Sequence, residues 1–189
     1  MKPLEGFIVR VDKMFNDEIE LNNGTTLVLE TKYNPHMHRA FCGEVIGIPE
    51  KKNSPVLVGD KLYFHHSIIF NEQNRIDSDT FYVHYNEEGG YQSMCYAYER
   101  DSEMRTLGDF IFLTPPEPVE NKTESGILIS IEAPMADRGY VEFLNEEAEY
   151  YGLSKGMLVG FDKNSDCPFV INKKTYWRMR LRDLTVVYG

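Results

Sequence analysis

Apolar and polar residues alternate with a period of two along most of this chain, and the apolar positions are rich in β-branched and aromatic side chains. Residues 177–182 show the pattern well, because Trp, Met and Leu alternate there with three Arg. Such alternation predicts strands with one buried and one solvated face. Turn residues separate the apolar stretches, for example Asn-Asn-Gly at 22–24 and Asn-Ser-Pro at 53–55. Many short strands with dense turns predict an all-β barrel or sandwich.

Helical periodicity is nearly absent. The best helical candidate is the segment 145–151, which reads Asn-Glu-Glu-Ala-Glu-Tyr-Tyr. Asn145 can cap its first turn, and the acidic residues that follow suit the amino-terminal end of a helix. The sequence therefore predicts one or two helical turns at this point.

One series of motifs occurs twice. An apolar opening at 7–11 is followed by an aliphatic triplet, by Gly-Glu-Val at 43–45 and by Val-Gly-Asp at 58–60. The same order returns as an opening at 110–113, a second triplet, Arg-Gly-Tyr-Val at 138–141 and Lys-Gly-Met-Leu at 155–158. A repeat of roughly ninety residues indicates two copies of one small domain. We place the copies at residues 1–106 and 107–189.

Each copy carries its aliphatic triplet within a polar stretch. The triplets are Leu27-Val28-Leu29 and Ile127-Leu128-Ile129. Two interpretations are open: a short strand anchored in the core, or an apolar peptide that docks into a groove of another protein. Because polar flanks bury little apolar area, we expect these stretches to be mobile when free.

Charge and composition narrow the possible partners. The chain has 189 residues and a formal net charge of −10, which argues against binding to a nucleic-acid backbone. No apolar run reaches membrane-spanning length, and the amino terminus lacks the apolar core of a secretory signal. Three cysteines, an odd number, favour reduced thiols. We therefore expect a cytoplasmic protein that binds neither nucleic acid nor membranes.

Motifs for catalysis or metal binding are not found. There is no nucleophile elbow and no phosphate-binding loop. His36 and His38, with the pair at 65–66, suggest a metal site, but nothing fixes them as one set of ligands. Cys42, just before Gly43, is expected to be a buried and inert thiol. The arginines of 177–182 favour a solvated strand face or a subunit contact. We expect no enzymatic activity, no metal and no cofactor.

In their order, these residues resemble the GroES-type co-chaperonins. In that family an opening strand leads to a mobile loop with Gly-Gly-Ile-Val-Leu, then to Arg-Gly-Glu-Val, a roof hairpin and Val-Gly-Asp. Gly24 with the first triplet, and Gly126 with the second, correspond to the mobile loop. The segment Arg-Asp-Leu-Thr-Val-Val at 182–187 resembles the closing strand. The resemblance covers nearly the whole chain as two tandem modules.

The resemblance implies two tandem GroES-like small β-barrels with mobile loops and roof hairpins. It also implies a homo-oligomeric ring that caps a GroEL-type chaperonin and assists protein folding, without a cofactor. The implied chaperonin-binding residues are Leu27, Val28, Leu29, Ile127, Leu128 and Ile129, with Gly24 and Gly126 as loop glycines.

The chain also departs from the family pattern. The first loop has one glycine and two threonines, and the second copy lacks the Glu of Gly-Glu-Val and the Asp of Val-Gly-Asp. These departures favour a phage or another fast-evolving genome, with the host cytoplasm as the location. An alternative is a ring-forming structural or adaptor protein, for example of a viral particle, that reuses the barrel without binding a chaperonin. A monomeric β-domain that is an accessory to an enzyme, and forms no ring, is a third hypothesis.

Overall fold

The computed structural model describes residues 2–15, 18–20, 23–28, 40–86, 93–117, 119–122, 128–132, 137–172 and 174–188. The chain divides into two compact units, Met1–Gly108 and Asp109–Gly189. In the described residues, each unit contains one six-stranded antiparallel sheet and one two-stranded ribbon. The predicted all-β class is confirmed.

Eight strands and two short helical turns lie among the described residues of the first unit. The strands are β1 (Gly6–Arg10), β2 (Glu18–Glu20), β3 (Thr26–Val28), β4 (Cys42–Gly47), β5 (Lys61–Phe64), β6 (Thr80–His84), β7 (Cys95–Arg100) and β8 (Glu103–Thr106). Between β5 and β6 lie the helix α1 (Ser67–Phe70) and a 3-10 turn (Glu72–Asn74).

The described part of the second unit has the same number of strands. They are β9 (Phe110–Thr114), β10 (Val119–Lys122), β11 (Leu128–Glu132), β12 (Arg138–Phe143), β13 (Leu158–Phe161), β14 (Cys167–Ile171), β15 (Lys174–Arg180) and β16 (Leu184–Tyr188). The helix α2 (Glu146–Tyr150) lies between β12 and β13, and a 3-10 turn (Leu181–Asp183) precedes β16.

The two sheets share one topology. Their strand orders are β6-β1-β4-β5-β7-β8 and β14-β15-β9-β12-β13-β16. Five strands correspond in position within the sheet and in order along the chain, namely β6-β1-β4-β5-β7 and β15-β9-β12-β13-β16. Along the chain, the ribbon β2–β3 follows β1, and the ribbon β10–β11 follows β9. The remaining strands, β8 and β14, extend the two sheets at opposite ends of the shared series.

The pairing register is also the same in both sheets. Val9 pairs with Val45 in the first sheet, and Leu113 pairs with Val141 in the second. One step further along, both ladders have a bulge. The ladders β5–β7 and β13–β16 likewise shift register at one matching position. A slip of one residue would move every side chain to the other face of the sheet. The equivalent registers therefore place equivalent residues in the core of each unit.

The core positions follow from this register. Strand burial alternates as the period of two predicts; in β4, Gly43, Val45 and Gly47 are buried and Glu44 is exposed. Each unit has its own apolar cluster. Matching members of the two clusters are Phe7 and Ile111, Val9 and Leu113, Val45 and Val141, Leu62 and Val159, Phe64 and Phe161, and Val83 and Met179.

Two turns show why the repeated motifs need glycine. Gly59 and Gly156 have φ angles of +94° and +88°, which strongly favour glycine. The Gly59 N–H donates to the Val45 carbonyl at 2.8 Å, and the Gly156 N–H donates to the Val141 carbonyl at 2.7 Å. The same turn therefore precedes β5 and β13.

The connections that follow β4 and β12 differ between the units. Residues 48–60 contain no strand or helix, and their backbone bonds back to the amino-terminal segment, because Glu50 N–H donates to the Pro3 carbonyl. In the second unit, α2 occupies this place. Asn145 Oδ1 accepts the Ala148 N–H at 3.0 Å, so the predicted helix and its cap are confirmed.

Candidate functional site: the first ribbon

The first predicted triplet begins in the ribbon formed by β2 and β3. Glu18 pairs with Val28, and Glu20 pairs with Thr26. The connecting turn contains Gly24 at a φ of +78°. Asn23 Oδ1 accepts the Thr25 N–H at 3.0 Å, as is usual where Asn reverses the chain. The Asn-Gly signal in the sequence therefore corresponds to a hairpin turn.

Both faces of this ribbon are open to solvent at Leu27 and Val28. Leu27 is 49% exposed and Val28 is 71% exposed. Successive strand residues point to opposite faces, so neither face is covered by the core at these two positions. Leu27 and Val28 form part of a short strand, as one interpretation expected, but its prediction that they are anchored in the core is wrong. Leu29 lies outside the described residues.

Val28 lies opposite a charged residue. Glu18, the register partner of Val28, accepts an ion pair from Lys13 Nζ at 3.2 Å. Both of these side chains are about half exposed. An exposed ion pair of this kind adds little stability.

The described part of the second triplet lies in the corresponding ribbon of the second unit. The ribbon β10–β11 pairs Val119 with Glu132 and Lys122 with Leu128, with one register shift near Lys122. Leu128 and Ile129 are the first residues of β11. Gly126 and Ile127 lie outside the described residues. The described residues of the two triplets therefore lie in corresponding strands, Leu27 and Val28 in β3 and Leu128 and Ile129 in β11.

Sequence reasoning did not find a buried ion pair beside the Val-Gly-Asp motif. Asp60 is only 4% exposed. Its carboxylate accepts Arg100 Nε at 2.8 Å, Arg100 Nη2 at 2.6 Å and the Leu57 N–H at 2.7 Å. Burial alone would raise the pKa of Asp60, but these hydrogen bonds outweigh it and the pKa is lowered. Asp60 thus ties the turn before β5 to the end of β7.

The arginine series near the carboxyl end is exposed at Arg182, as predicted, but not at Arg180. Arg180 Nη1 lies 2.7 Å and 2.9 Å from the two carboxylate oxygens of Asp109. The guanidinium groups of Arg178 and Arg180 also lie over the ring of Phe110. Arg180 is mostly buried, with 15% of its side chain exposed, so it belongs to the packing of the second sheet. The two partners are 71 residues apart in sequence, which hides the pair from local pattern reading.

The described cysteines differ in burial, and His65 makes a local contact. Burial raises the pKa of the half-buried Cys42 thiol, and the nearby charge of Lys61 partly offsets this rise. Burial also raises the pKa of Cys95, to about 12. His65 Nδ1 lies 2.6 Å from Ser67 Oγ, a local contact at the start of α1. The described residues include no group of three His, Cys, Asp or Glu suited to a metal ion. The segment 36–38 is outside them.

Among the described residues, no helix is both long and apolar enough to span a membrane. In comparisons with known proteins, no family model and no curated protein matches this chain.

Proposed function

We propose that this protein is a tandem co-chaperonin of the GroES type, which forms a ring and caps a GroEL-type chaperonin in the cytoplasm to assist protein folding. One observation carries the proposal: two adjacent aliphatic residues, Leu27 and Val28, are exposed on opposite faces of a ribbon that follows the first strand of a duplicated module. In this proposal each six-stranded sheet closes into a small barrel, and the ribbons are the docking elements.

The duplicated pairing supports this proposal over an arbitrary β-protein. The same ribbon placement and the same turn before β5 and β13 occur in both units. Two glycines that match the family motifs, Gly43 and Gly59, lie at positions where a residue with a side chain would be strained. A Cβ on Gly43 would come within 2.6 Å of the Arg10 carbonyl oxygen, and Gly59 has a positive φ. Close packing at Gly43 and the positive φ at Gly59 therefore explain why both motif positions are glycine.

The energetics suit a reversible cap. Full burial of one Val or Leu side chain is worth roughly 1.5–3 kcal/mol. Scaled by the exposed fractions of Leu27 and Val28, docking of this ribbon gains about 2–4 kcal/mol. Because the backbone of β3 is already paired, docking loses less entropy than an unpaired loop would lose. One ribbon binds weakly, and several ribbons on one ring bind together through their effective concentration.

The test is a charge placed at the most exposed position. We expect Val28→Asp to abolish nucleotide-dependent binding to a purified GroEL-type chaperonin, measured by native mass spectrometry with ATP. The fold should persist, because Val28 has little contact to lose. Val170→Asp is the matched control, since Val170 is 49% exposed on β14 and should keep full binding. Leu128→Asp then shows whether the second ribbon also engages.

The outcomes separate the hypotheses. Loss of binding in Val28→Asp, with unchanged circular dichroism and unchanged binding in Val170→Asp, supports the co-chaperonin function. A wild-type ring that never binds the chaperonin, with or without nucleotide, contradicts it and favours the structural or adaptor protein. Loss of folding in Val28→Asp contradicts the assignment of this residue as a docking residue.

A further inference from the structure

The turn of the first ribbon contains the only Asn-Gly pair in the sequence. Asn23 precedes Gly24, and every other asparagine is followed by a different residue. Asn23 and Gly24 are exposed to solvent, as is the whole of β3 that follows them. An Asn-Gly pair is reactive because the backbone nitrogen of the glycine can attack the side-chain amide of the asparagine without hindrance from a Cβ. This turn is therefore a candidate site of covalent self-modification.

The hydrogen bond within the turn favours such an attack. The Thr25 N–H donates to Asn23 Oδ1 at 3.0 Å. When a nitrogen attacks Cγ of Asn23, negative charge develops on Oδ1, which is the oxygen that already accepts this bond. A donor placed in advance at an oxygen of this kind stabilises the transition state, as in an oxyanion hole. The bond also holds the side-chain amide toward the Gly24 side of the turn.

The turn has room for the change in shape that the reaction needs. Gly24 has a φ of +78°. Among the described residues, apart from its neighbours in the chain, no atom lies within 4 Å of the place where a Cβ on Gly24 would stand. The attack closes a cyclic imide between the Asn23 side chain and the Gly24 nitrogen, and this rotates the backbone at Asn23. The open space beside Gly24 lets the backbone rotate without a clash.

Two comparable positions lack one of these features. Asn164 is also exposed in a turn, but the residue after it is Ser165, which has a Cβ. The Ser165 N–H donates to the Asp162 carbonyl at 3.1 Å, so its nitrogen is already engaged. In the sequence of the second module, Ser125 precedes Gly126, and a serine has no side-chain amide to attack. The reactive pair is therefore particular to the first ribbon.

We propose that Asn23 is a site of spontaneous deamidation that alters the first ribbon. The Gly24 nitrogen forms a bond to Cγ of Asn23, the bond from Cγ to Nδ2 breaks, and ammonia leaves with the proton of the Gly24 N–H. Water then opens the cyclic imide. Cleavage of the new Cγ–N bond gives aspartate, and cleavage at the main-chain carbonyl gives isoaspartate. The net reaction consumes one water and releases one ammonia, without an oxidant or a reductant.

Both products change the ribbon that carries Leu27 and Val28. Each product adds a negative charge to a ribbon whose strand β2 already contains Glu18 and Glu20. Isoaspartate also lengthens the main chain within the turn that sets the pairing of Glu20 with Thr26. A shift of this register moves strand side chains to the other face. The consequence for docking rests on the proposed function: we expect deamidation to weaken binding to the chaperonin as the chain ages.

Peptide mapping by mass spectrometry tests the site itself. During incubation of the full chain at pH 8, position 23 should gain the mass difference between a hydroxyl and an amino group and should separate into aspartate and isoaspartate forms. Asn164 should stay unchanged over the same period. Asn23→Ser, which copies the Ser125-Gly126 pair, should abolish the early conversion in this peptide.

Two results of the mapping would overturn the proposal. One is an unmodified Asn23 in the folded chain under conditions where the chain unfolded in guanidinium converts, because the fold would then protect the turn. The other is conversion of Asn164 to the same extent as Asn23, because the geometry of the first ribbon would then have no special effect.

A second measurement tests the effect on docking. Aged protein is mixed with a purified GroEL-type chaperonin and ATP, and the bound and unbound chains are mapped separately. Isoaspartate should be enriched in the unbound chains, and Asn23→Asp should bind more weakly than Asn23→Ser. Equal isoaspartate in both fractions, with equal binding of the two variants, would overturn the effect on docking. A wild-type chain that never binds the chaperonin would overturn the proposed function and this effect together, whereas the mapping would still decide whether Asn23 deamidates.

Discussion

Replacement of Asp60 by Asn should destabilise the first unit in a way that depends on pH. The substitution keeps the shape of the side chain and removes the negative charge that meets Arg100 and the Leu57 N–H. Breaking a buried pair costs 3–5 kcal/mol when the remaining charge stays dry. Here 37% of the Arg100 side chain is exposed, so water can solvate it in the variant. We therefore expect Asp60→Asn to lower the free energy of unfolding by about 2–3 kcal/mol.

The pH dependence follows from the lowered pKa of Asp60. A carboxylate with a lowered folded-state pKa stabilises the fold at every pH above its unfolded-state pKa, about 3.9. That contribution is lost as the pH falls through the lower folded-state pKa. The stability gap between the wild type and Asp60→Asn should therefore be full at pH 7 and should shrink below about pH 4.

Urea unfolding followed by circular dichroism at pH 7, 5 and 3 measures this gap. Glu103→Gln is the control, because it removes one negative charge from the same unit at an exposed ion pair with Arg105. The control should change the free energy of unfolding by less than about 0.5 kcal/mol. A gap for Asp60→Asn no larger than that of the control at pH 7 would refute the reasoning. So would a gap that stays constant down to pH 3.

Two further predictions follow from close packing and from burial. Gly43→Ala should lower the free energy of unfolding by about 1–3 kcal/mol in the same assay, because the new Cβ meets the Arg10 carbonyl oxygen at 2.6 Å; wild-type stability would contradict the packing argument. Under native conditions at pH 8, a thiol reagent followed by mass spectrometry should label Cys167 first and Cys42 more slowly. Cys95 should react only on unfolding, since it is buried with a pKa of about 12; prompt labelling of Cys95 would refute this order.

Local signals in the sequence determined the local structure. The period of two predicted strands, and the all-β class is confirmed. Asn145 predicted the start of α2, because an N-cap bond reaches only three residues along the chain. The Asn-Gly signal near Gly24 predicted a turn for the same reason, since a turn is decided by the conformations of a few adjacent residues.

The tertiary structure decided what depends on residues far apart in sequence. Arg180 pairs with Asp109 across 71 positions, and Arg100 pairs with Asp60 across 40, so no local pattern shows either pair. The alternation at residues 177–182 suggested a solvated arginine face, but Arg180 is mostly buried. The same holds for the first triplet. An apolar strand residue is buried or exposed according to what packs on its face, and the exposure of Leu27 and Val28 became visible only when the sheet and the ribbon were both in place.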